Sequence, residues 1–351
     1  MSEQVVGTHS RSAWCAWQVF VRICGGQRAF ILLSLAFVIT GNVLLPNPDL
    51  LMLPVVLQFL TFVVLSHIYA LMAHIIVALF VKKSLNKAID HGFRNIFFPA
   101  NLYRATPTIV LIALFTFTFP SFKSHIPELN AYTWDPAFAQ LDRAFHFGFS
   151  PWKTLAEITG YGTFTVLIDK IYYLWFLVTF AAAAVAATSP GNSIFRHRFL
   201  LSYALLWIVI GCALATGFSS VGPIFYDVQY GGVSEFTALM AHLNEVNAQS
   251  PLQAISVRDA LWQSHVDSSG SLVSGISAMP SMHNAICVLL FLAARHVNKW
   301  LAAAAALYAF LIFVGSVHLG WHYAIDGYAA ALITALIWWV SGIVASKEAG
   351  R

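Results

Sequence analysis

The sequence predicts an all-α fold, a polytopic transmembrane helical bundle of about eight spans, on three observations. Of the 351 residues, 59% are apolar and only 10% are charged, whereas ordinary soluble domains carry about a quarter charged residues. The apolar residues gather into eight long runs, and the basic residues fall with a strong bias on alternate connecting segments. Each span needs about 20 mostly apolar residues, so eight take roughly 160 and leave the remainder for loops and ends. The composition excludes a soluble, disordered, collagenous or disulfide-framework protein. A surplus of 19 basic over 15 acidic residues is too small to indicate nucleic acid as a partner. The partner it implies is the bilayer.

Taken in order, residues 1–28 read as a basic cytoplasmic tail with Arg11, Arg22 and Arg28 ahead of the first apolar run. No small-residue cleavage pattern follows, so that run is an uncleaved first span rather than a signal peptide. The runs lie at roughly 29–46, 51–81, 106–121, 163–186, 198–217, 279–294, 300–319 and 323–345. The second is long enough to tilt or to extend past the bilayer. The domain reading is a tail (1–28), N-terminal transmembrane helices (29–121), a catalytic membrane domain (122–345) and a C-terminal cytoplasmic tail (346–351), without internal repeats. Cys15, Cys24, Cys212 and Cys287 have no metal-ligand spacing and read as free thiols.

Lysine and arginine are retained on the cytoplasmic side, and they set the orientation. With the N-terminus inside, 14 of the 19 basic residues fall on inner segments. The outer side keeps Lys123, Arg143, Lys153, Lys170 and Arg258, together with 12 of the 15 acidic residues. The reading is a multi-pass protein of the cell (inner) membrane. Two outer segments, about 122–162 and 218–278, are long enough to be structured. In the first, Asp135 can cap a helix with Pro136 in its first turn, and Phe138, Leu141 and Phe145 recur on one face before Gly148. That helix is expected in the interface, where simple anchoring is preferred over a lip covering a lipid entrance.

Two constellations can carry chemistry. The sixth run opens with Ser277-Ala278-Met279-Pro280-Ser281-Met282-His283-Asn284. Proline suits a helix's first turn, and the N–H groups after it have no partner within the helix. With the helix dipole, the Ser281 hydroxyl and the N–H groups at Ser281 and Met282, this is a candidate phosphate cradle beside His283. The eighth run opens with Gly315-Ser316-Val317-His318-Leu319-Gly320-Trp321-His322-Tyr323-Ala324-Ile325-Asp326-Gly327. His322 and Asp326 are four apart, so on a helix the carboxylate can fix the imidazole tautomer and leave the other nitrogen free. An inside N-terminus makes helices six and eight both begin on the outer face, with Lys170 at the same level.

These residues resemble a known family. Pro280-Ser281-Met282-His283 together with His322-Tyr323-x-x-Asp326 is similar to the two best-defined motifs of the type-2 phosphatidic acid phosphatase superfamily, specifically the branch of inositol phosphorylceramide synthases and sphingomyelin synthases. Trp134-Asp135, Leu141-Asp142-Arg143, Gly222-Pro223 and Ser316 to Asp326 extend the similarity from about residue 120. The resemblance implies a phosphatase-like helical core in which His322 attacks phosphorus, Asp326 orients it and His283 protonates the leaving oxygen. It also implies a phospholipid or lipid phosphate as donor, and a lipid hydroxyl or water as acceptor. Neither a cofactor nor a metal is implied.

The chain departs from the pattern twice. The usual first motif, a lysine followed seven residues later by Arg-Pro, is absent, since Lys170 is followed at that distance by Leu177. The arginine expected early in the third motif is replaced at Ser316 or Val317. The transferase branch is similar in lacking the first motif, which favours transfer of a phosphoryl-containing head group, inositolphosphotransferase-like, at the outer face through a phosphohistidine. Lys170 is the first candidate for the phosphate's cation and Arg258 the second. Two other readings compete. His318, His322 and Asp326 at i, i+4, i+8 would suit a metal-dependent hydrolase, and the composition alone permits a lipid carrier or transporter.

Overall fold

The computed structural model describes residues 27–45, 53–82, 84–87, 89–90, 99–160, 162–189, 194–267 and 275–350. The tail with Arg11, Arg22, Cys15 and Cys24 lies outside them. Among the described residues there are helices and connecting segments and no strand. Apolar helices form at all eight runs: α1 (Arg28–Leu44), α2 (Leu53–Lys82), α3 (Pro99–Ser124), then, after two short surface helices, α4 (Asp135–Phe145) and α5 (Pro151–Thr159), the long α6 (Thr163–Thr188) and α7 (Ile194–Ile208). Two more short helices, α8 (Thr237–Gln249) and α9 (Gln253–Val266), precede α10 (Met282–Ala294), α11 (Lys299–His318) and α12 (Ala324–Ala349). Six of the helical stretches are long and apolar enough to cross a bilayer, while α1 and α10 are shorter.

Three boundaries differ from expectation, and each bears on the site. Helix α3 does not stop near Pro120-Ser121 but continues to Ser124, which brings Lys123 into its last turn. Helix α10 has only 13 residues, about 20 Å at 1.5 Å per residue, because the chain enters through a non-helical stretch at 275–281. Helix α12 runs on to Ala349, through most of the segment expected as a C-terminal tail.

Helix α6 shows how the core is built. Ile168, Asp169, Tyr172, Trp175, Thr179 and Ala183 are buried at three- and four-residue spacing, a single face in a helix of 3.6 residues per turn. That face meets α11, α3 and α10, while α10 packs on α11 and α12, and α7 on α12. Gly315 lets α11 close on α6, since a Cβ there would lie 3.1–3.2 Å from Ile168 and Tyr172. At the helix ends remote from the site, Arg196 donates to the Ala186 and Ala187 carbonyls that end α6, and the Ala29 N–H donates to Glu348 at 2.8 Å. Cys212 and Cys287 are buried free thiols.

The segments that carry α4, α5, α8 and α9 are folded onto the bundle rather than laid beside it. Asp169 accepts from the Gln253 and Ala254 N–H groups at 3.0 and 2.9 Å, capping α9 from the side chain of α6. Asp135 does not cap its own helix. Its buried carboxylate accepts from Val221 N–H (2.8 Å), Gly222 N–H (2.7 Å), Tyr230 Oη (3.0 Å) and Tyr323 Oη (3.0 Å). Gly222, at φ +84°, is held so close to the Trp321 carbonyl that a Cβ would stand 2.7 Å from it. Phe138 of α4 points into the core, but Leu141 and Phe145 are exposed, so the expected three-residue face is divided between core and surroundings.

Candidate functional site

The two constellations meet at one end of the bundle. Their ring centroids place His283 and His322 6.1 Å apart, and both line a cavity of about 310 Å³.

His283 sits in the first turn of α10, whose N-cap is Ser281. Its ring is stacked on Tyr172 (4.5 Å) and lies against Trp175 (4.2 Å), and Trp175 Nε1–H donates to the His283 carbonyl at 3.1 Å. Two residues of α6 one turn apart thus fix the imidazole from ring and backbone.

His322 precedes α12 rather than lying on it, so its pairing with Asp326 is not the i, i+4 contact of a continuous helix. Asp326 stands in the first turn and reaches back. Its Oδ2 accepts from the Tyr323 N–H at 3.1 Å, the reciprocal half of a capping box, and lies 3.3 Å from His322 Nδ1. The same carboxylate therefore starts the helix and orients the ring, leaving Nε2 as the other nitrogen. The His322 N–H donates to the Ser316 carbonyl at 3.0 Å. Ser316, one of the two residues at which the expected arginine is replaced, ties α11 to α10 by accepting from Asn284 Nδ2 at 3.3 Å.

Surrounding α12's start, α4 supplies a second carboxylate. Asp142 Oδ1 accepts from the Ile325 N–H at 3.0 Å, so Asp135 and Asp142, two turns apart, hold Tyr323 and Ile325, the residues just after His322 and just before Asp326. Burial pushes both carboxyls up from the ordinary carboxylate value, against the opposing pull of their backbone N–H donors.

Several sequence-predicted residues are elsewhere. Ser281 is fully buried as a helix cap, its Oγ accepting from the Asn284 N–H and Nδ2 at 3.3 and 3.0 Å. It does not line the cavity, whereas Pro280 and Met282 do. Pro280 lies ahead of the cap, not in the first turn. Lys170 is half-exposed, 3.8 Å from the Asp169 carboxylate and away from the cavity lining. Arg258 is bound to its neighbour Asp259 at 2.7–2.8 Å, and its helix reaches the cavity through Val257 and Leu261 instead. His318 is turned to α6, with Nε2 2.9 Å from Thr165 Oγ1 and its ring edge-on to Phe164. The three-ligand metal arrangement with His322 and Asp326 is therefore not formed, and among the described residues no three His, Cys, Asp or Glu side chains are grouped to hold a metal.

The cation that does line the cavity is Lys123 of α3. Its position at a helix end was hidden by the proline before it. The remaining wall is largely apolar and aromatic, from Phe119, Phe176, Phe180, Trp207 and Ile210, and it is roofed by the stretch between α7 and α10 through Val221, Phe225, Leu261 and Ile276. The aromatic residues of the first segment, Trp134, Phe138, Phe145, Phe147 and Trp152, do not reach it.

Residues 136–340, more than half of the chain, match the PAP2 superfamily. The chain belongs to the PAP2 superfamily. This is the type-2 phosphatidic acid phosphatase superfamily to which the histidine motifs point, and its members are phosphatases and phosphotransferases. Comparison with curated proteins and with solved structures gives no match. The matched segment begins in α4 and takes in both histidines and Asp326, but leaves Lys123 and the first three helices outside it.

Proposed function

We propose that this PAP2 superfamily protein is a lipid phosphotransferase of the inositol phosphorylceramide and sphingomyelin synthase-like branch, moving a phosphoryl-containing head group at the extracytoplasmic face. The observation that carries the reading is the facing pair of His283 and His322 across a cavity with apolar walls. In the first half-reaction, His322 Nε2 attacks phosphorus, the bond from phosphorus to the donor's lipid oxygen breaks, and His283 gives its proton to that oxygen. In the second, a hydroxyl oxygen of the acceptor attacks phosphorus, its proton passes to His283, and the P–N bond breaks. Asp326 holds Nδ1 throughout and stabilises the charge on the ring. The Ser281 N–H donates to the Asp326 carbonyl and the Asn284 N–H to Ser281 Oγ, so the helix-start N–H groups assigned to the developing charge on the phosphoryl oxygens are those of Met282 and His283, the two that belong to cavity-lining residues.

The experiment is trapping of the intermediate. Purified protein given a donor labelled in its phosphoryl group is expected to form an acid-labile, base-stable phosphoprotein that disappears in His322→Ala. A label retained in His322→Ala, or none in the active wild type, removes the phosphohistidine from the reaction.

A further inference from the structure

We infer that Lys123 is the cation that holds the phosphoryl oxygens, in the place of the absent first motif. The inference rests on the proposed function and names a residue that neither the family match nor the motif spacing supplies, since Lys123 precedes residues 136–340.

Three observations converge on it. First, Lys123 is the one formally charged side chain lining the cavity, among the described residues, and no carboxylate shares that lining. No ion pair of Lys123 is formed among the described residues either. An ammonium without a counter-charge beside apolar walls favours an anion as ligand.

Second, the face of α3 that carries it is aimed at the histidines. Phe119 and Lys123 are four apart and share one face. The Phe119 ring fills the space over Gly211, 2.7 Å from where a Cβ would stand, and the sulfur of Met282 lies 3.6 Å from the same point. Phe119 therefore packs beside the residue that precedes His283, and Lys123 stands one turn further out on that face. Gly211 belongs to a π-helical turn, Val209–Leu214, that widens α7 where Ile210 and Gly211 reach the cavity.

Third, the lysine stem is pinned. Gly275, at φ +82°, lies so close that a Cβ would stand 2.5–2.7 Å from the Lys123 carbonyl group and Cγ. Only glycine tolerates both the backbone conformation and the contact. The chain then runs directly through Ile276 and Ser277, which line the cavity, towards α10. The non-helical approach to α10 thus clamps Lys123 and delivers His283 in one pass.

The test is anion binding to the full chain in detergent, in a His322→Ala background that blocks turnover. Two probes separate a free phosphate from a lipid-borne one: inorganic phosphate, and octyl 4-nitrophenyl phosphate as an amphiphilic phosphodiester. Calorimetry is expected to show that Lys123→Met weakens the phosphodiester about ten- to a hundredfold, while Lys123→Arg stays within about threefold. Lys123→Gln provides a second neutral variant should the methionine variant not fold. Tight binding of the phosphodiester by a folded neutral variant overturns the inference, as does an Arg variant no better than the neutral ones. Lysine-dependent binding together with a wild type that neither turns over a phospholipid nor forms a phosphoprotein leaves the site standing and removes the proposed function instead.

Discussion

The hydroxyl of Tyr323 donates to Oδ1 of Asp135 at 3.0 Å across 188 positions of sequence. This bond joins the first outer helix to the residue between the His322 turn and helix α12. The same carboxylate also binds the backbone at Val221 and Gly222 beneath the cavity roof. Asp135→Asn replaces one acceptor oxygen with a donor facing N–H and O–H groups. We expect a loss of about 1–3 kcal/mol, read as lower thermal stability in detergent, together with reduced kcat. Tyr323→Phe removes a single bond and should cost about 1 kcal/mol. If kcat is unchanged in both while stability falls, the network holds the fold without positioning His322.

The two histidines should respond differently to the quality of the leaving group. Under the proposed reaction, His283→Ala loses about 10²- to 10⁴-fold with a lipid alkoxide as leaving group and recovers most of it with a nitrophenyl phosphodiester, which departs without a proton. His322→Ala recovers nothing, because the P–N bond has no other partner. Asp326→Asn keeps its place in the first turn of α12 but loses the charge behind the ring, and a large fall in kcat at nearly constant KM is expected. Equal rescue of both histidine variants by the nitrophenyl substrate contradicts the assigned roles.

Orientation can be read directly. Val233 is exposed on the second outer segment and Val297 is exposed between α10 and α11. In a background with Cys15 and Cys24 replaced by serine, a membrane-impermeant maleimide applied to intact cells should label Val233→Cys and spare Val297→Cys. The opposite pattern would place the cavity on the cytoplasmic side and reverse the fourteen-to-five distribution of basic residues.

The eight apolar runs were legible because lipid demands long uninterrupted hydrophobicity, a strong one-dimensional signal. His283, His322 and Asp326 were legible because their motifs are local. The topology expected from the basic residues brings their two helix starts to one end of the bundle, but it says nothing of the direction in which a side chain leaves its helix. Lys170, expected at the level of the histidines, and Arg258 lie outside the cavity lining, paired with Asp169 and Asp259. Lys123 was hidden for the complementary reason. The apolar run fades at Pro120-Ser121, so the last turn of α3 reads as loop, and its contact with Gly275 spans the chain. Ser281 carried a true helix-start signal, whose use is to cap Asn284 rather than to face a ligand.

Metal dependence is a separate matter, and it follows from where His318 points. With Nε2 of that residue engaged by Thr165, a three-ligand site with His322 and Asp326 would need α11 to rotate its last turn. Activity is expected to survive a strong chelator and to be unaffected by added zinc or manganese. His318→Gln, which can retain the contact to Thr165, should leave kcat within a few-fold. Loss of activity in chelator with recovery on adding metal would favour the hydrolase reading.

The last prediction concerns what takes the phosphoryl group. A phosphohistidine open to solvent is hydrolysed, whereas transfer requires that water be kept out and a second amphiphile let in. The cavity is suited to the second case, for its walls are aromatic on the α3, α6 and α7 sides and its roof is Val221, Phe225, Leu261 and Ile276. The roof belongs to a segment tied down by Asp135 at Val221 and Gly222 and by Asp169 at Gln253 and Ala254, so loosening it should admit water selectively. With a phospholipid donor labelled in its head group, and ceramide, diacylglycerol and a polyprenol offered as acceptors, the wild type is expected to place most label on one lipid. Phe225→Ala and Leu261→Ser should shift label towards the free phosphorylated head group without a matching fall in donor consumption. Release of only water-soluble product by the wild type across the whole acceptor panel would make the protein a hydrolase at the same histidines.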